Sequence, residues 1–416
     1  MAAVLAKAGY ATGMVGKFHV GPSLSDPKFR KRYGLHEIEK NVPFTEALNR
    51  RKYENEKGYR KAVKDFGFTW AKNIYWDNTK APFQNHNPEW TAAAAVEFIE
   101  QHKEEPFYLH YCTTLLHGPN GSWYKSLDKP KVTGEGIIKE DLKVLPPRNS
   151  VMKRIEAAGL TSNQAGYLWM DDSLGLILDK LDELKLTQNT LVLFIADHGS
   201  GNKGSLYTSK GTEVPCIMRW PAGMKSGIRS RELIQNTDFV PTWFELANAK
   251  KPAKYLMDGT SLTPLFQQPH KPVRKHVYAE IGAARSIKTK THSYIALRYT
   301  KEQVTGVKER HRRHLKALTG LSGGVSRSIA THPHAYTGDQ LYDLEHDPDA
   351  QRNLAGSSSH AAVLRQLKQN LAMELKRFPE RPYGEFVPGG NALPGKGYDE
   401  VFETLRKAAA TKKKKK

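Results

Sequence analysis

The chain has 416 residues, 39% of them hydrophobic and 26% charged, a composition that excludes a fibrous, low-complexity or wholly disordered protein. No apolar run approaches the roughly 20 residues that a bilayer-crossing helix needs. Lys and Arg (64) outnumber Asp and Glu (43), for a net charge of +21, which favours polyanionic partners: nucleic acid, anionic membrane, or sulfated and phosphorylated glycans.

Residues 2–9, AAVLAKAG, read as the second half of a helix closed by Gly9, and YATGMVGKFHVG as a strand and loop. The start lacks the basic head and long apolar centre of a signal peptide, so nothing in the sequence as written exports the chain. Residues 22–85 are basic and aromatic with weak periodicity, and are expected to run over a surface or active-site rim. NPEWTAAAAVEFIEQHKEE, from Asn87, is a helix opened by Asn-Pro, and PFYLHYCTT a buried strand ending near His117. The clearest helix covers residues 163–186, where Leu174, Ile177, Leu178, Leu181 and Leu184 follow the 3.6-residue period. A strand at 190–196, a glycine-rich loop and a strand at 214–220 follow.

Helix followed by strand, three times over, argues an α/β fold with a largely parallel central sheet flanked by helices. Functional loops of such sheets leave the carboxyl ends of the strands, which would gather Lys17, His19, His117, Asp197 and His198 at one edge. After DGTSLTPLF (258–266) the pattern changes to short antiparallel strands and the amphipathic helix HAAVLRQLKQNLAMELKRF. The expected division is an α/β domain over 1–266, a smaller α+β domain over 267–395 with a basic insertion near 301–335, and a disordered basic tail over 396–416 that ends in Lys412–Lys416. Cys112 and Cys216 both sit in strand-like runs and are expected as buried free thiols, a single disulfide being the alternative.

An Asp and a His at a strand end, with Gly199 permitting the turn, suit a divalent cation through a hard oxygen and an imidazole nitrogen. The bland alternative is an Asp that caps the next element with His packed beside it. Lys17 and His19, two apart in VGKFHVG, share one face of a strand and suit an oxyanion, against a solvated Lys beside a core His. His117 in TTLLHGPN has the same bland reading, and Lys203 in GNKGSLY (with Lys210 as its rival) could equally be a solvated loop lysine. Asp171 and Asp172 lie within the regular helix 163–186 and fit structural contacts better than a metal. The basic stretch KERHRRHLK has no nucleic-acid motif beside it and reads as a basic surface, so no nucleic-acid partner is expected.

Taken in order, LAKAGYATGMVGKFHVG, PFYLHYCTTLLHGP, MDDSLGLILDKLDELKLTQNTLVLFIADHG, GNKGSLY, EVPCIMRWPAG, DFVPTWFELAN, MDGTSLTPLF and LYDLEHDPDAQRNLA resemble the sulfatase family of the alkaline phosphatase superfamily, from the first residues to about residue 355. The resemblance implies a sulfuric ester hydrolase. Asp197 and His198 would bind one divalent cation, calcium. Lys17 would contact nucleophile and sulfate, and His19 would assist a formylglycine hydrate. His117 would serve the leaving-group oxygen, and Lys203 would hold a sulfate oxygen. The substrate implied is a sulfate ester, plausibly of an anionic polysaccharide given the charge.

The departures are specific. A first strand ending in two Asp ligands, and the C/S-x-P-S-R motif that matures to formylglycine, precede GKxH in the family, and the sequence contains neither. They would fall upstream of Met1, so the chain by itself is expected to be inactive, and a complete relative would be exported to the periplasm or outside the cell. His117 stands in LLHGP where the family has Pro-His-x-Pro. A non-catalytic relative that binds sulfated glycans, and a phosphodiester or phosphonate monoester hydrolase of the same superfamily, remain as alternatives. Oligomeric state is open.

Overall fold

The computed structural model describes residues 1–78, 81–117, 124–199, 205–207, 209–308, 319, 321 and 325–390. They form two compact units: Met1–Leu191 with Trp220–Met224 and Thr237–Thr263, and Val192–Arg219 with Lys225–Asn236 and the chain from Pro264 onward. No helix among the described residues is long and apolar enough to cross a membrane.

The first unit is built on a three-stranded parallel sheet of order β2-β1-β3, with β1 at Ala11–Phe18, β2 at Trp70–Trp76 and β3 at Phe107–Cys112. Helix α1 (Ala2–Lys7) leads into β1, while α2 (Pro27–Tyr33) and α3 (Glu46–Asp65) lie between β1 and β2. Helix α4 (Pro88–Gln101) connects β2 to β3. The short α5 (Tyr124–Leu127), an antiparallel pair of two-residue strands β4 (Val132–Thr133) and β5 (Gly136–Ile137), α6 (Arg148–Ala157) and α7 (Ala165–Glu183) follow. Local chemistry starts these helices where they start. Thr45 accepts from the Leu48 amide and Asn87 from the Trp90 amide, with Pro88 in the first turn where its missing N–H costs nothing. The alanines of α4 let the helix lie close to the sheet, and a Cβ on Gly13 of β1 would come within 2.6 Å of the Phe98 ring.

Residues 22–85 are therefore not a surface excursion: they supply two helices and one of the three parallel strands. Their periodicity is hidden because the buried face of α3 includes Lys52, Asn55 and Glu56 beside Tyr59, Ala62 and Val63. Glu56 shows why a carboxylate belongs there. Val15 pairs with Lys72 but Gly16 with Ile74, so Asn73 is an extra residue in β2, held at φ 56°. The Asn73 amide donates to the Trp90 carbonyl. The Ile74 N–H donates to Glu56 Oε1 at 3.0 Å, and Arg60 Nε donates to Glu56 Oε2 at 2.6 Å. On the other side of β1, Gly16 has φ +88°, and a Cβ there would lie 2.0 Å from the Cys112 carbonyl oxygen, so only glycine fits.

β3 is half-buried with His110 exposed, where full burial was expected; β2, the other edge strand, is covered by α3 and stays mostly buried. Asp171 and Asp172 behave as the helix pattern suggests: Asp172 receives both Arg154 Nη1 (2.8 Å) and Nη2 (2.6 Å), tying α7 to α6.

In the second unit, β6 (Val192–Ile195) pairs antiparallel with β7 (Cys216–Arg219) in a ladder of their own. The expected strand at 190–196 is thus present, but the parallel ladder of the first unit is completed by β2. A four-stranded antiparallel sheet of order β11-β10-β9-β8 uses β8 (Val277–Ile281), β9 (Ala284–Lys288), β10 (His292–Leu297) and β11 (Asp339–Asp343). The helix Ala361–Leu375 buries Leu367, Leu371 and Leu375 against Ile287, Tyr294, Ala296 and Leu341. The side chain of Arg298 is fully buried and satisfied by Asp339 at 2.9 Å and Glu385 at 2.5 Å. The basic insertion lies between β10 and β11. Residues 309–316 of its charged run, and the tail 396–416, lie outside the described residues. Cys112 and Cys216 are free thiols, half-buried rather than sealed.

Glu56 gives the first testable prediction. Glu56→Ala strips the Ile74 amide and the Arg60 guanidinium of their partner and is expected to cost about 3–5 kcal/mol. Glu56→Gln keeps an acceptor and should cost clearly less. Urea unfolding of both variants measures this, and a loss below about 1 kcal/mol for Glu56→Ala would remove Glu56 from any role in holding the bulge.

Candidate functional site

In a parallel ladder all three strands deliver their carboxyl ends to one edge. Lys17, half-buried, is the next-to-last residue of β1 and pairs in register with Tyr75. His19 follows β1, and Asp77 follows β2. Their side chains meet, with His19 Nε2 3.1 Å from Asp77 Oδ1, and both are just over half exposed. Solvent screens such a pair, so its role is orientation rather than stability. Asp77 sits at φ 64° and its amide donates to the Phe18 carbonyl at 3.2 Å, which locks the two strand ends together.

His117 leaves β3 through a turn in which its own amide donates to the Thr114 carbonyl at 3.2 Å. A second imidazole, His86, braces this turn. It is almost wholly buried, its Nδ1 lies 2.9 Å from Thr114 Oγ1, and its amide donates to Ser126 Oγ at 3.1 Å. Burial first, and then the neighbouring His117, push His86 down to about 4. It is therefore neutral at physiological pH. At Ser126 a buried fork holds the chain: Arg148 donates to Glu89 Oε1 at 2.8 Å and Oε2 at 2.6 Å, and to the Ser126 carbonyl at 2.9 Å.

Lys52 of α3 is a further buried cation, 5.6 Å from the centre of the Phe83 ring in the loop after β2. Desolvation lowers it to about 8, against the pull of Glu56.

Asp197 and His198 belong to the second unit, two and three residues beyond β6. The Gly199 amide donates to the Gly211 carbonyl at 3.2 Å, which closes the loop. His198 Nδ1 lies 2.9 Å from the Gly199 carbonyl oxygen. A carbonyl only accepts, so Nδ1 carries a proton in this contact, and in the neutral ring the Nε2 lone pair is then the one open to a ligand. Nε2 is sealed from solvent, finds no hydrogen-bond partner among the described residues, and stands 3.5 Å from Asp197 Oδ2, whose side chain is largely exposed. Adjacent ligands at about 2.4 Å around one cation stand roughly 3.4 Å apart, so this pair fits two positions of a metal shell. A ring N–H held by a backbone carbonyl is the usual outer contact of a metal-binding histidine. Two donors are not a complete site, and among the described residues no group of three or more His, Cys, Asp or Glu is arranged to hold a metal.

Thus Lys17, His19 and His117 belong to one unit and Asp197 with His198 to the other, while Lys203 lies outside the described residues, as does the side chain of Lys210. Asp77, His86 and Lys52 escaped the sequence reading. Asp77 carried a usable signal, an acid directly after the aromatic strand WAKNIYW, whereas His86 and Lys52 acquire their environments only through tertiary contacts.

Comparison with known proteins adds the following. The Sulfatase family model matches residues 1–249, and the model of the C-terminal region of N-sulphoglucosamine sulphohydrolase matches residues 196–303. An ulvan-active sulfatase of Formosa agariphila is 26% identical over 340 residues, which span 77% of this chain and 62% of that protein. An arylsulfatase of Hemicentrotus pulcherrimus is 25% identical over 317 residues, 70% of this chain and 51% of that protein. The chain therefore spans between half and two thirds of these relatives. A solved structure of a protein in complex with its substrate D-glucosamine-2-N,6-O-disulfate superposes with a TM-score of 0.52 at 16% identity, covering 92% of this chain and 82% of that one, a likeness of fold.

His86 supplies a pH prediction. Its folded value, about 4, lies below the ordinary 6.5 or so, so the unfolded chain takes up the proton first as pH falls. The stability involved is complete above about pH 6.5 and lost towards pH 4, about 3 kcal/mol in all. Urea unfolding at pH 7 and pH 4 should show His86→Gln losing less on acidification than the parent by about that amount. Equal losses would exclude a buried neutral His86.

Proposed function

The chain belongs to the sulfatase family, and from that premise we propose that it serves the hydrolysis of sulfate esters on an anionic glycan. The observation that carries the reading is chemical. A half-buried lysine and two imidazoles leave one sheet edge, and an Asp-His pair with ligand-like spacing follows a strand of the second unit. In this reading Lys17 and Lys203 neutralise sulfate oxygens, lowering the cost of gathering further charge there. His19, oriented by Asp77, handles a proton at the nucleophile. His117, held in its turn by Thr114 and His86, protonates the departing alcohol oxygen. Asp197 and His198 hold one divalent cation, calcium by family resemblance, which when bound would neutralise ester charge.

A net charge of +21 supports a polyanionic glycan over a small aryl sulfate that carries a single charge, since it raises the local concentration of the more highly charged substrate. No residue of the sequence stands in a C/S-x-P-S-R motif, and neither Cys112 nor Cys216 has the right neighbours. We therefore assign no nucleophile, and the chain alone should release no sulfate.

Calcium titration tests the metal assignment without any turnover. The parent chain should bind the ion, and Asp197→Ala should weaken binding more than about tenfold. Equal affinity in the two proteins would take Asp197 out of the shell. Sulfate release by the chain alone, followed with a sulfated oligosaccharide, would show that a residue assigned no such role acts as nucleophile.

A further inference from the structure

Most buried charge in the first unit is matched. Arg148 is forked onto Glu89, and Glu56 is taken up by Arg60 and the Ile74 amide. Lys52 differs. It is 7% exposed, yet its ammonium forms no hydrogen bond or ion pair among the described residues. Its neighbours are the face of Phe83 and, one helical turn on, Glu56, whose two oxygens are already engaged. Glu56 thus faces two cations, Arg60 and Lys52, and only Arg60 is hydrogen-bonded to it. Glu135, the next carboxyl in the area, is held by Trp90 Nε1 at 3.1 Å.

A second unpaired group follows Phe83 in the same loop, its backbone amide donating to the Phe83 carbonyl at 2.9 Å. Asn85, two residues beyond Phe83, is 9% exposed, and its side-chain amide makes no hydrogen bond among the described residues. Neither the Lys52 ammonium nor the Asn85 amide belongs to the polar atoms that are both sealed and unpartnered, so both keep a route to solvent. The location is informative too. Helix α3 ends just before β2 begins and runs back along it, which turns its first half toward the carboxyl edge. The loop carrying Phe83 and Asn85 continues directly into His86, the brace of His117.

Burying an ammonium without a counter-ion is costly, and an anion is what removes the cost. We propose that Lys52 and Asn85 form a subsite for a second sulfate group of the glycan, beside the ester that is attacked. The proposal rests on the sulfated-glycan reading above and extends it to substrates with more than one sulfate. Lys52 supplies the charge and Asn85 a neutral donor, and the ring of Phe83 keeps water off one side of the ammonium.

The test is calorimetric binding of glucosamine 6-O-sulfate and of D-glucosamine-2-N,6-O-disulfate to the chain at low salt. The parent should prefer the disulfate by about tenfold or more, the worth of one hydrogen bond to a charged group. Lys52→Met should erase that preference while leaving monosulfate affinity unchanged, and Lys52→Arg should retain most of it. Lys17→Met should weaken both sugars alike. Lys52→Met should unfold no more easily than the parent in sugar-free buffer, and if it does, Lys52→Gln takes its place. A preference that survives loss of the lysine, or one absent from the parent, overturns the subsite while leaving the general reading intact. Failure of the parent to bind either sugar overturns both.

Discussion

The carboxylate of Glu56 is the constraint on which the first unit turns. A strand that gains one residue against its neighbour changes the face its later side chains point to. Asn73 is that residue, and the slip falls between Val15 and Gly16, directly before Lys17. Glu56 takes the amide that follows the extra residue, and Arg60 makes a buried carboxylate tolerable there. The phase of Ile74, Tyr75 and Trp76 against β1, and so the placement of Asp77 at the strand end, thus depends on an acid from a helix between the two strands. Gly16 closes the same region from the other side, since nothing larger than hydrogen fits against the Cys112 carbonyl.

Buried charge recurs as a method of fixing loops. Glu89 and Arg148 bind the first turn of α4 to the start of α6, and the guanidinium lies 4.7 Å from the Trp169 ring. In the second unit Arg298 gathers Asp339 and Glu385, while Lys368 and the Tyr294 hydroxyl complete the shell of Asp339. Such forks fix orientation better than apolar contacts do, because each bond has a direction. They add little net stability when burial is counted against them.

What the sequence disclosed follows from what carries a local signal. α4, β1 and β3 were legible because alanine-rich and β-branched or aromatic runs declare themselves, and α7 because its leucines keep the helical period. The order of short motifs pointed to the family, and the family match bore this out. α3 and β2 were not legible: a helix that buries Lys52, Asn55 and Glu56 has no apolar stripe to read, and a strand containing Lys72 and Asn73 breaks the alternation. Candidate residues at strand ends could be named from position alone. The bracing by Asp77 and His86 could not, because it arises between segments far apart in the chain.

The sheet order has a consequence for how the unit is assembled. β1 precedes both its partners and lies between them, with Gly13 paired to Trp70 on one side and Leu109 on the other. Neither ladder closes locally, and closure entropy grows with the logarithm of the intervening length. Contacts between α3 and β2, or α4 and β3, span far less chain and can form while β1 is still unpaired. The strand that bears Lys17 is thus satisfied on both edges only when the Phe107–Cys112 strand arrives, and its run of buried residues must be sheltered until then.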